Sequence, residues 1–269
     1  MPTVAGLRAR ALARIAPLDA DVLLSDALGV TKEALYAHPD APASAGAAER
    51  FDALVERRAA GEPLAYLRGW KEFYGLRFAV DPRVLIPRPE TETLVDAVRA
   101  TGARLVADIG TGSGAIAVAL AVRDPHVRVI ATDISADALA VAHANVEAHG
   151  VGDRVELRQG DLFAPIRERV DAIAANLPYL TDASVAGWTG ERRSLAFEPQ
   201  LAVLAGPDGL SLLRQAIGDL GRVLRPGGVA YFECDPPQAR ALAAEYGGDV
   251  LVDLAGNERV LVLRAMMAP

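Results

Sequence analysis

The sequence is poor in the residues that build disulfide-bonded, metal-binding and membrane-spanning proteins. Cys234 is the only cysteine among 269 residues, so no disulfide can form within the chain and a reducing compartment is expected. The four histidines (His38, His126, His143 and His149) show no metal-ligand spacing, and we therefore expect no metal site. No stretch approaches the roughly 20 uninterrupted apolar residues that a membrane span needs, which makes a soluble globular protein the expectation.

Positive charge is also scarce relative to negative charge. The 28 Lys and Arg residues against 35 Asp and Glu give a formal net charge of −7, which argues against an extended nucleic-acid-binding surface. The sequence contains no internal repeat and no low-complexity tract. A chain of this length exceeds the usual size of a single domain, so two domains are expected.

The N-terminal quarter of the chain, residues 1–70, carries helical patterns only. Apolar periodicity and capping residues predict helices over residues 4–15, 20–28, 31–38 and 47–60, with a short turn over residues 63–68. We therefore predict a small N-terminal helical bundle.

The pattern changes after this bundle. Residues 71–92 combine a hairpin pattern around Gly75 with a stretch in which Pro87 and Pro89 hold the chain extended, and we predict that they connect two domains. From residue 93 to residue 269 strands and helices alternate. That alternation predicts an α/β domain built on a parallel sheet with helices on both faces.

Three glycines at alternate positions follow the first apolar strand of this second domain. Gly110, Gly112 and Gly114 form a G-x-G-x-G turn that leads into a predicted helix, whose free N–H groups favour a polar or negative ligand. Dinucleotide-binding loops have G-x-G-x-x-G and phosphate-binding loops end in Gly-Lys, so both classes are disfavoured. The segment is similar to the loop of S-adenosylmethionine-dependent methyltransferases, while a tight strand-to-helix turn without a ligand is the alternative.

Two further strand ends carry candidate site residues. Asp133 ends a β-branched strand about 20 residues after the glycines, where a carboxylate can accept hydrogen bonds from two ribose hydroxyls. Asn176, Leu177, Pro178 and Tyr179 follow a later strand. In this tetrad an amide side chain, a main-chain carbonyl and an aromatic ring would form a flat slot for a planar NH2 group. Two acceptors could then aim the nitrogen lone pair at an electrophilic methyl group without a charged base.

Several stretches taken together resemble one known family. The chain resembles the PrmC/HemK family, the methyltransferases that act on the glutamine side-chain nitrogen of peptide chain release factors. The resemblance covers nearly the whole chain in order, and its most specific piece is Ile-Pro-Arg-Pro-Glu-Thr-Glu, because related enzymes that modify a ribosomal-protein glutamine diverge there. The other matching stretches are residues 61–66 and 72–76, the glycine loop, the tetrad, Glu198-Pro199 and residues 206–210.

The resemblance implies a fold, a reaction and a cellular setting. The expected fold is a Rossmann-like methyltransferase sheet (residues 93–269) behind a helical substrate-recognition domain (residues 1–70) and a connector (residues 71–92). The expected cofactor is S-adenosyl-L-methionine, with S-adenosyl-L-homocysteine as product. The expected substrate is the glutamine of the Gly-Gly-Gln motif of class I release factors. We further expect a cytoplasmic monomer that contacts neither membrane nor nucleic acid directly.

The resemblance also assigns roles to individual positions. The loop residues Gly110, Thr111, Gly112, Ser113 and Gly114 would line the methionine part of the cofactor, with Asp133 on its ribose and Asp161 and Leu162 beside its adenine. The cofactor set also includes Asn176. Substrate contacts would come from Asn176, Leu177, Pro178, Tyr179, Phe73 and Arg88, and the tetrad would carry the catalysis.

Two departures from the family pattern stand out. Leu177 occupies the place of the usual first proline of Asn-Pro-Pro-Tyr, so the tetrad also resembles that of adenine dimethylases of ribosomal RNA. Leu162 replaces the aromatic residue often found beside adenine. The alternatives are therefore an adenine-N6 methyltransferase, a ribosomal-protein glutamine methyltransferase, and a binding module that has lost turnover. The net negative charge and the family's N-terminal segments favour the release factor enzyme.

Overall fold

A computed structural model describes residues 1–181 and 190–265. The chain folds into two compact units, Met1–Gly69 with Thr189–Phe197, and Trp70–Trp188 with Glu198–Pro269. Over the described residues no helix combines the length and the apolar character that crossing a bilayer requires.

The first unit is helical, as its sequence pattern predicts. Its helices are α1 (Val4–Leu12), α2 (Pro17–Leu28), α3 (Lys32–Ala37), α4 (Ala45–Ala59) and α5 (Leu64–Arg68), and residues Gly190–Phe197 form a 3₁₀ segment. Side-chain caps from Thr3, Thr31 and Ser44 accept N–H groups at the starts of α1, α3 and α4. The core of the bundle consists of apolar side chains from α1, α2, α3 and α4.

Two buried carboxylates tie the helices of this unit together. Asp21 of α2 accepts hydrogen bonds from Arg8 of α1, and this pairing holds the pKa of Asp21 below its usual value. Asp19 pairs with Arg58 of α4. Both carboxylates are largely buried, so each is paired with an arginine as a buried charge must be.

The second unit begins with an antiparallel hairpin. Strands β1 (Trp70–Phe73) and β2 (Leu76–Ala79) flank a turn at Tyr74 and Gly75, both of which have positive φ. A 3₁₀ turn, Pro89–Thr91, then leads directly into helix α6 (Glu92–Ala100). The extended segment between hairpin and turn is the one that the two prolines predict.

A seven-stranded sheet forms the centre of this unit. Its strands are β3 (Leu105–Ile109), β4 (Arg128–Asp133), β5 (Val155–Gln159), β6 (Val170–Ala175), β7 (Leu224–Glu233), β8 (Asp249–Val252) and β9 (Glu258–Arg264), in the spatial order β5-β4-β3-β6-β7-β9-β8. Strands β3 to β7 are parallel. Their order reverses beside β3, where open sheets of this kind bind ligands at the carboxyl ends of the strands.

The expectation of a purely parallel sheet is wrong at one edge. Strand β9 runs antiparallel to both β7 and β8. The chain between β8 and β9 is a short turn that contains Asp253 and Gly256, and a parallel pair would need a crossover of a dozen or more residues. The Rossmann-like class predicted for the domain is nevertheless confirmed, as a mixed sheet with helices on both faces.

Two apolar cores lie on opposite faces of the sheet. One contains residues of the hairpin, α6 and helix α7 (Ala115–Arg123), together with helix α8 (Ala136–Ala148). The other contains α10 (Ser211–Val223) and α11 (Pro236–Tyr246); a short helix, α9 (Gln200–Val203), precedes them. Seven consecutive residues of α7, Ala115–Ala121, are buried, which fixes the helix start directly behind the glycine loop.

Candidate functional site

A cleft opens at the carboxyl ends of β3, β4 and β6. It has a volume of about 180 Å³ and is lined mainly by apolar surface. Residues of the glycine loop, the end of β4, the turn after β5 and the tetrad after β6 meet there: Gly110, Gly112, Asp133, Asp161, Leu162, Asn176, Leu177 and Pro178. The structure therefore brings together most of the residues that the sequence predicts for a cofactor site.

The glycine loop has a backbone that side chains would hinder. Gly110, Gly112 and Gly114 have φ values of 70°, 56° and 79°, in the left-handed region that glycine adopts without strain. A Cβ on Gly110 would lie 3.1 Å from Leu177 Cδ2, so the tetrad packs directly onto the loop. Among the described residues, no atom outside the neighbouring residues lies within 4 Å of a Cβ built on Gly112, and the backbone there is open to a ligand in the cleft.

Side chains under the loop hold it in place. Asp108 Oδ2 accepts hydrogen bonds from the Thr111 hydroxyl at 2.6 Å and the Ala117 N–H at 3.1 Å. Asn145 donates to the Ser113 carbonyl at 2.8 Å. Thr111 and Ser113 are thus buried supports of the loop, with relative exposures of 7% and 3%. Their predicted contact with a cofactor stays a prediction, since neither lines the cleft.

Asp108 is itself unusual because it is fully buried. Desolvation raises its pKa to about 7, and the nearby charge of Asp133 adds to the rise, while the hydrogen bonds from Thr111 and Ala117 oppose it. Its Oδ1 has no hydrogen-bond partner among the described residues. The sequence signal for Asp108 is an acid inside an apolar strand just before the glycines.

Asp133 both lines the cleft and fastens the loop. One carboxylate oxygen accepts the Gly112 N–H at 2.9 Å, and the other accepts the Ser135 N–H at 2.9 Å. Each oxygen retains a further lone pair, so acceptance from ribose hydroxyls is compatible with both bonds. Asp161 and Leu162 lie on the neighbouring part of the wall; Leu162 has a positive φ of 43° and is largely buried.

The tetrad begins with an anchored amide. Asn176 Nδ2 donates to the Thr91 hydroxyl at 3.0 Å, and the buried Thr91 belongs to the 3₁₀ turn of the proline-rich segment. Because the NH2 end is used in this way, Oδ1 is the end left for a ligand in the cleft. Leu177 is 4% exposed and its side chain packs against the glycine loop, while the predicted use of its carbonyl as a hydrogen-bond acceptor stays a prediction.

Tyr179, the last residue of the tetrad, contacts a buried acid. Its hydroxyl lies 3.3 Å from Oε1 of Glu233, the last residue of β7. Burial and the charge of Glu233 raise the pKa of Tyr179 well above its usual value, so the ring carries a neutral hydroxyl that donates. The Tyr179 carbonyl accepts from Gln238 Nε2 at 2.9 Å, which fixes the backbone at this end.

Arg88, a predicted substrate contact, forms a structural ion pair. Its guanidinium lies 2.5 Å from Glu198 Oε1, and the other oxygen of this fully buried carboxylate accepts the Ile86 N–H at 3.0 Å. The pair fastens the proline-rich segment to the start of α9. About 30% of the Arg88 side chain remains exposed, and its contact with a substrate stays a prediction.

Phe73, the other predicted contact outside the tetrad, is a core residue. It is 1% exposed and packs edge-on against Phe78 with ring centroids 6.0 Å apart. It does not line the cleft, so its predicted role in substrate binding also stays a prediction.

The residues of the cleft fit S-adenosylmethionine. An open glycine backbone and the N-terminus of α7 suit the polar methionine end, a strand-end carboxylate suits a ribose, and apolar side chains suit a flat purine. Within residues 1–181 and 190–265, no cluster of His, Cys, Asp and Glu has the makings of a metal site.

Thr91, Glu233 and Gln238 are the neighbours of the tetrad that sequence reasoning missed. Thr91 lies inside the Ile-Pro-Arg-Pro-Glu-Thr-Glu run, which was singled out for its prolines and charges. Glu233 is a charged residue that ends an apolar strand at the same sheet edge as Asp133 and Asn176, and the same rule of strand ends could have found it.

Comparison with known proteins places these features in a family. Residues 7–69 match the family model for the PrmC N-terminal domain, and residues 89–192 match the methyltransferase small domain. The release factor glutamine methyltransferase of Moorella thermoacetica is 44% identical over 90% of this chain and 89% of its own length. That of Xylella fastidiosa (strain 9a5c) is 42% identical over 98% of each chain.

Solved structures support the fold at lower identity. The catalytic domain of hMettl16, solved with the MAT2A 3′UTR hairpin 6, superposes with a TM-score of 0.58. The match covers 83% of this chain and 82% of that one at 18% sequence identity. At this identity the likeness concerns the methyltransferase fold alone.

Proposed function

Since the chain belongs to the family of release factor glutamine methyltransferases, we propose that the cleft at the strand ends is where a release factor glutamine is methylated. The protein is an S-adenosylmethionine-dependent methyltransferase, and its acceptor is the side-chain nitrogen (N5) of that glutamine. The finer proposal is that this glutamine belongs to the Gly-Gly-Gln loop of class I release factors.

The observation that carries this proposal is the Asn176 amide in the wall of the cleft. Its Nδ2 is held by Thr91, so its Oδ1 can accept one N–H of a substrate amide, and the Leu177 carbonyl can accept the other. An amide nitrogen is a weak nucleophile because its lone pair is delocalised. Two fixed acceptors would orient that nitrogen and stabilise the positive charge that develops on its N–H groups as the new bond forms, and one of these protons is then lost to water.

The remaining residues position the two reactants and exclude water. S-adenosyl-L-methionine supplies an electrophilic methyl group when bound. Gly110, Gly112 and Asp133 would hold its amino-acid and ribose parts, and Asp161 and Leu162 its adenine. Pro178 lines the cleft beside Asn176 and would contact the substrate amide; Tyr179 does not line the cleft, and its proposed contact with the substrate rests on the resemblance to the family.

We further propose roles for the other parts of the protein. Residues 1–70 form the substrate-recognition domain, since this helical part matches the PrmC N-terminal domain over residues 7–69. The protein acts as a cytoplasmic monomer without direct nucleic-acid contact, which agrees with its net charge of −7 and single cysteine.

Mass spectrometry of a purified release factor after incubation with the protein and S-adenosylmethionine tests the proposal. The Gly-Gly-Gln peptide should gain one methyl group on glutamine, while a release factor with Gly-Gly-Glu and purified ribosomal RNA should gain none. The protein carrying Asn176→Ala serves as the enzyme control. Methylated adenine beside an unmodified glutamine would overturn the proposal in favour of an adenine methyltransferase.

A further inference from the structure

One buried side chain bonds to both the glycine loop and the hairpin, and it has no place in the mechanism so far. Asn145 of α8 is 1% exposed. Its Nδ2 donates to the Ser113 carbonyl at 2.8 Å and to the Ala79 carbonyl at 3.0 Å, and its Oδ1 accepts the Ala79 N–H at 2.7 Å. Both ends of this amide are therefore used to join two backbone segments that are distant in the sequence.

The orientation of this amide follows from its partners. Its NH2 end faces two carbonyls and its oxygen faces an N–H, so a rotated amide would place the oxygen against both carbonyls. Asn145 bonds to both polar backbone groups of Ala79, as a neighbouring strand does. A single side chain thus fixes the end of β2 on α8.

Helix α8 contacts the glycine loop along one face. Ala138 lines the cleft, and the Ala142 Cβ lies 3.3 Å from a Cβ built on Gly114. Ala138, Ala142 and Asn145 have the spacing i, i+4 and i+7, which places them on the same side of a helix. The face that packs on the loop is therefore the face that carries the amide.

The peptide unit that joins Ser113 to Gly114 is held at both of its polar groups. Its carbonyl accepts from Asn145, and its N–H, which belongs to Gly114, donates to the Thr111 carbonyl at 2.8 Å. Helix α7 begins at the next residue, Ala115, so this peptide unit sets how the loop enters the helix. Removing the Asn145 amide would release the unit at its carbonyl end.

The chain that leaves the hairpin at Ala79 contributes another part of the site. Residues 83–85 line the cleft, and Thr91, further along, holds the Asn176 amide. Asn145 therefore bonds on one side to the loop proposed to hold the methyl donor. On the other side it bonds to the start of the segment that anchors the proposed acceptor of the substrate amide.

From these contacts we infer that Asn145 is a positioning residue, which holds the glycine loop in register with the segment that begins at Ala79 and carries Thr91. Methyl transfer needs the two reacting atoms about 3–3.5 Å apart and in line, so a shift of one segment against the other lowers the rate even when both reactants are bound. The inference rests on the proposed function, in which the loop holds S-adenosylmethionine and Asn176 holds the substrate amide.

The test measures kcat of the full-length protein with a Gly-Gly-Gln release factor, at saturating concentrations of both substrates. Asn145→Ala should lower kcat on the order of 10-fold, because the reactants are bound but misaligned. Calorimetric titration should also show weaker binding of S-adenosylmethionine.

Val146→Ala is the matched control. It leaves a cavity in the core beside the same helix, but Val146 lines a different cavity, together with Val129 of β4 and Val155 of β5. Its kcat and its affinity for S-adenosylmethionine should equal those of the wild type.

Asn145→Asp tests the donor end of the amide without changing the size of the side chain. It keeps the acceptor for the Ala79 N–H but places an oxygen where the NH2 group donates to the Ser113 and Ala79 carbonyls. It should therefore lower kcat at least as much as Asn145→Ala. Wild-type kcat in Asn145→Ala or Asn145→Asp, or an equal loss of kcat in Val146→Ala, would overturn the inference.

Ala79→Pro tests the hairpin end and leaves the Asn145 side chain in place. It removes the N–H that Oδ1 accepts, at the exposed last residue of β2, where a proline is tolerated. This variant should lower kcat about 3-fold, as after the loss of one hydrogen bond, and should bind S-adenosylmethionine like the wild type because the bond to Ser113 remains. Unchanged kcat would mean that Asn145 supports the loop alone, and would overturn the link between the two segments.

A measurement without release factor separates this inference from the proposed function. The backbone amide NMR signal of Gly114 belongs to the peptide unit that bonds to Asn145, so it should move in Asn145→Ala and Ala79→Pro and stay in place in Val146→Ala. If the wild type methylates no release factor but the Gly114 signal responds in this way, the proposed function fails and the link between loop and hairpin stands. A Gly114 signal that stays in place in Asn145→Ala or in Ala79→Pro overturns the link by itself.

Discussion

Asn176 Nδ2 donates to Thr91 Oγ1 at 3.0 Å across 85 positions of the sequence. The bond joins the residue after β6 to the turn that precedes α6, so the proline-rich segment holds the tetrad as well as connecting two elements. Two prolines one residue apart restrict the backbone of this segment, so the Thr91 hydroxyl lies on a stretch of chain with little freedom.

Gly209 gives a prediction about the other end of the tetrad. Its φ is +66°, and a Cβ there would overlap the Tyr179 carbonyl oxygen and lie 2.6 Å from Gln238 Nε2. Gly209→Ala should therefore displace Tyr179, lower kcat at least 10-fold, and destabilise the fold by more than the roughly 1 kcal/mol cost of a positive φ alone. Steady-state kinetics and chemical denaturation measure the two effects.

Gly247→Ala is the matched control for this change. Gly247 has a similar φ of +71°, but in the part of the chain that the structure describes no atom beyond its chain neighbours lies within 4 Å of a Cβ built on it. Alanine there should cost about 1 kcal/mol of stability and leave kcat unchanged. Equal effects of the two substitutions on kcat would show that the position of the Tyr179 carbonyl does not affect the reaction.

What the sequence predicts well in this protein is local. The glycine loop, Asp133 and Asn176 each follow directly from a strand and its end, and the parallel arrangement of β3, β4 and β6 brings them together. The antiparallel edge is not predicted in this way, because the alternation of strands and helices does not continue after the last helix. There β8 and β9 follow each other with only a short turn between them.

Partners that are distant in sequence could not be predicted in this way. Thr91 and Glu233 lie 85 and 54 positions from their tetrad partners, and no short pattern encodes such a pairing. Arg88 is a similar case, since its partner Glu198 is 110 positions away. The sequence shows the charge of Arg88 but not this partner, and its contact with a substrate stays a prediction.

Asp133→Ala should weaken cofactor binding and also destabilise the protein. The carboxylate accepts the Gly112 and Ser135 N–H groups, so its removal leaves two backbone donors without their partner, beyond any loss of ribose contacts. The free energy of unfolding should fall by about 1–3 kcal/mol, and the affinity for S-adenosylmethionine should fall by a similar free energy. Calorimetric titration and denaturation measure the two. Asp133→Asn keeps one acceptor and should lie between wild type and alanine, whereas unchanged cofactor affinity in Asp133→Ala would remove Asp133 from the site.

Glu233→Gln should stabilise the protein above neutral pH. Folding raises the pKa of Glu233 from 4.5 to about 7, so the folded state binds a proton that the unfolded state releases, and stability falls as pH rises between these values. Above pH 7 the buried charge costs at most about 3 kcal/mol, and glutamine removes that cost. Thermal unfolding should show a higher Tm for the variant at pH 8 and no difference at pH 4. A lower Tm at pH 8 would mean that hydrogen bonding to the carboxylate outweighs its desolvation.

Asn176 is the residue whose replacement should matter most for the reaction. Asn176→Ala removes the side-chain acceptor, and kcat should fall on the order of 10²-fold or more, as after the loss of one preorganised hydrogen-bond partner at a reacting centre. The affinity for S-adenosylmethionine should change much less, which calorimetric titration checks. Wild-type turnover by this variant at saturating cofactor and release factor would contradict the orientation mechanism.

Asn176→Asp tests separately whether this side chain must accept a hydrogen bond from the substrate and whether it must be anchored to Thr91. The carboxylate still accepts but has no N–H to donate to Thr91, so the hydrogen bond that anchors this side chain is lost. If acceptance alone matters, Asn176→Asp should keep clearly more activity than Asn176→Ala, and adding Thr91→Val to Asn176→Asp should cost little more. Should Asp and Ala be equally inactive, the NH2 group held by Thr91 is as necessary as the oxygen, because an acceptor without a fixed direction cannot aim the substrate nitrogen at the methyl group.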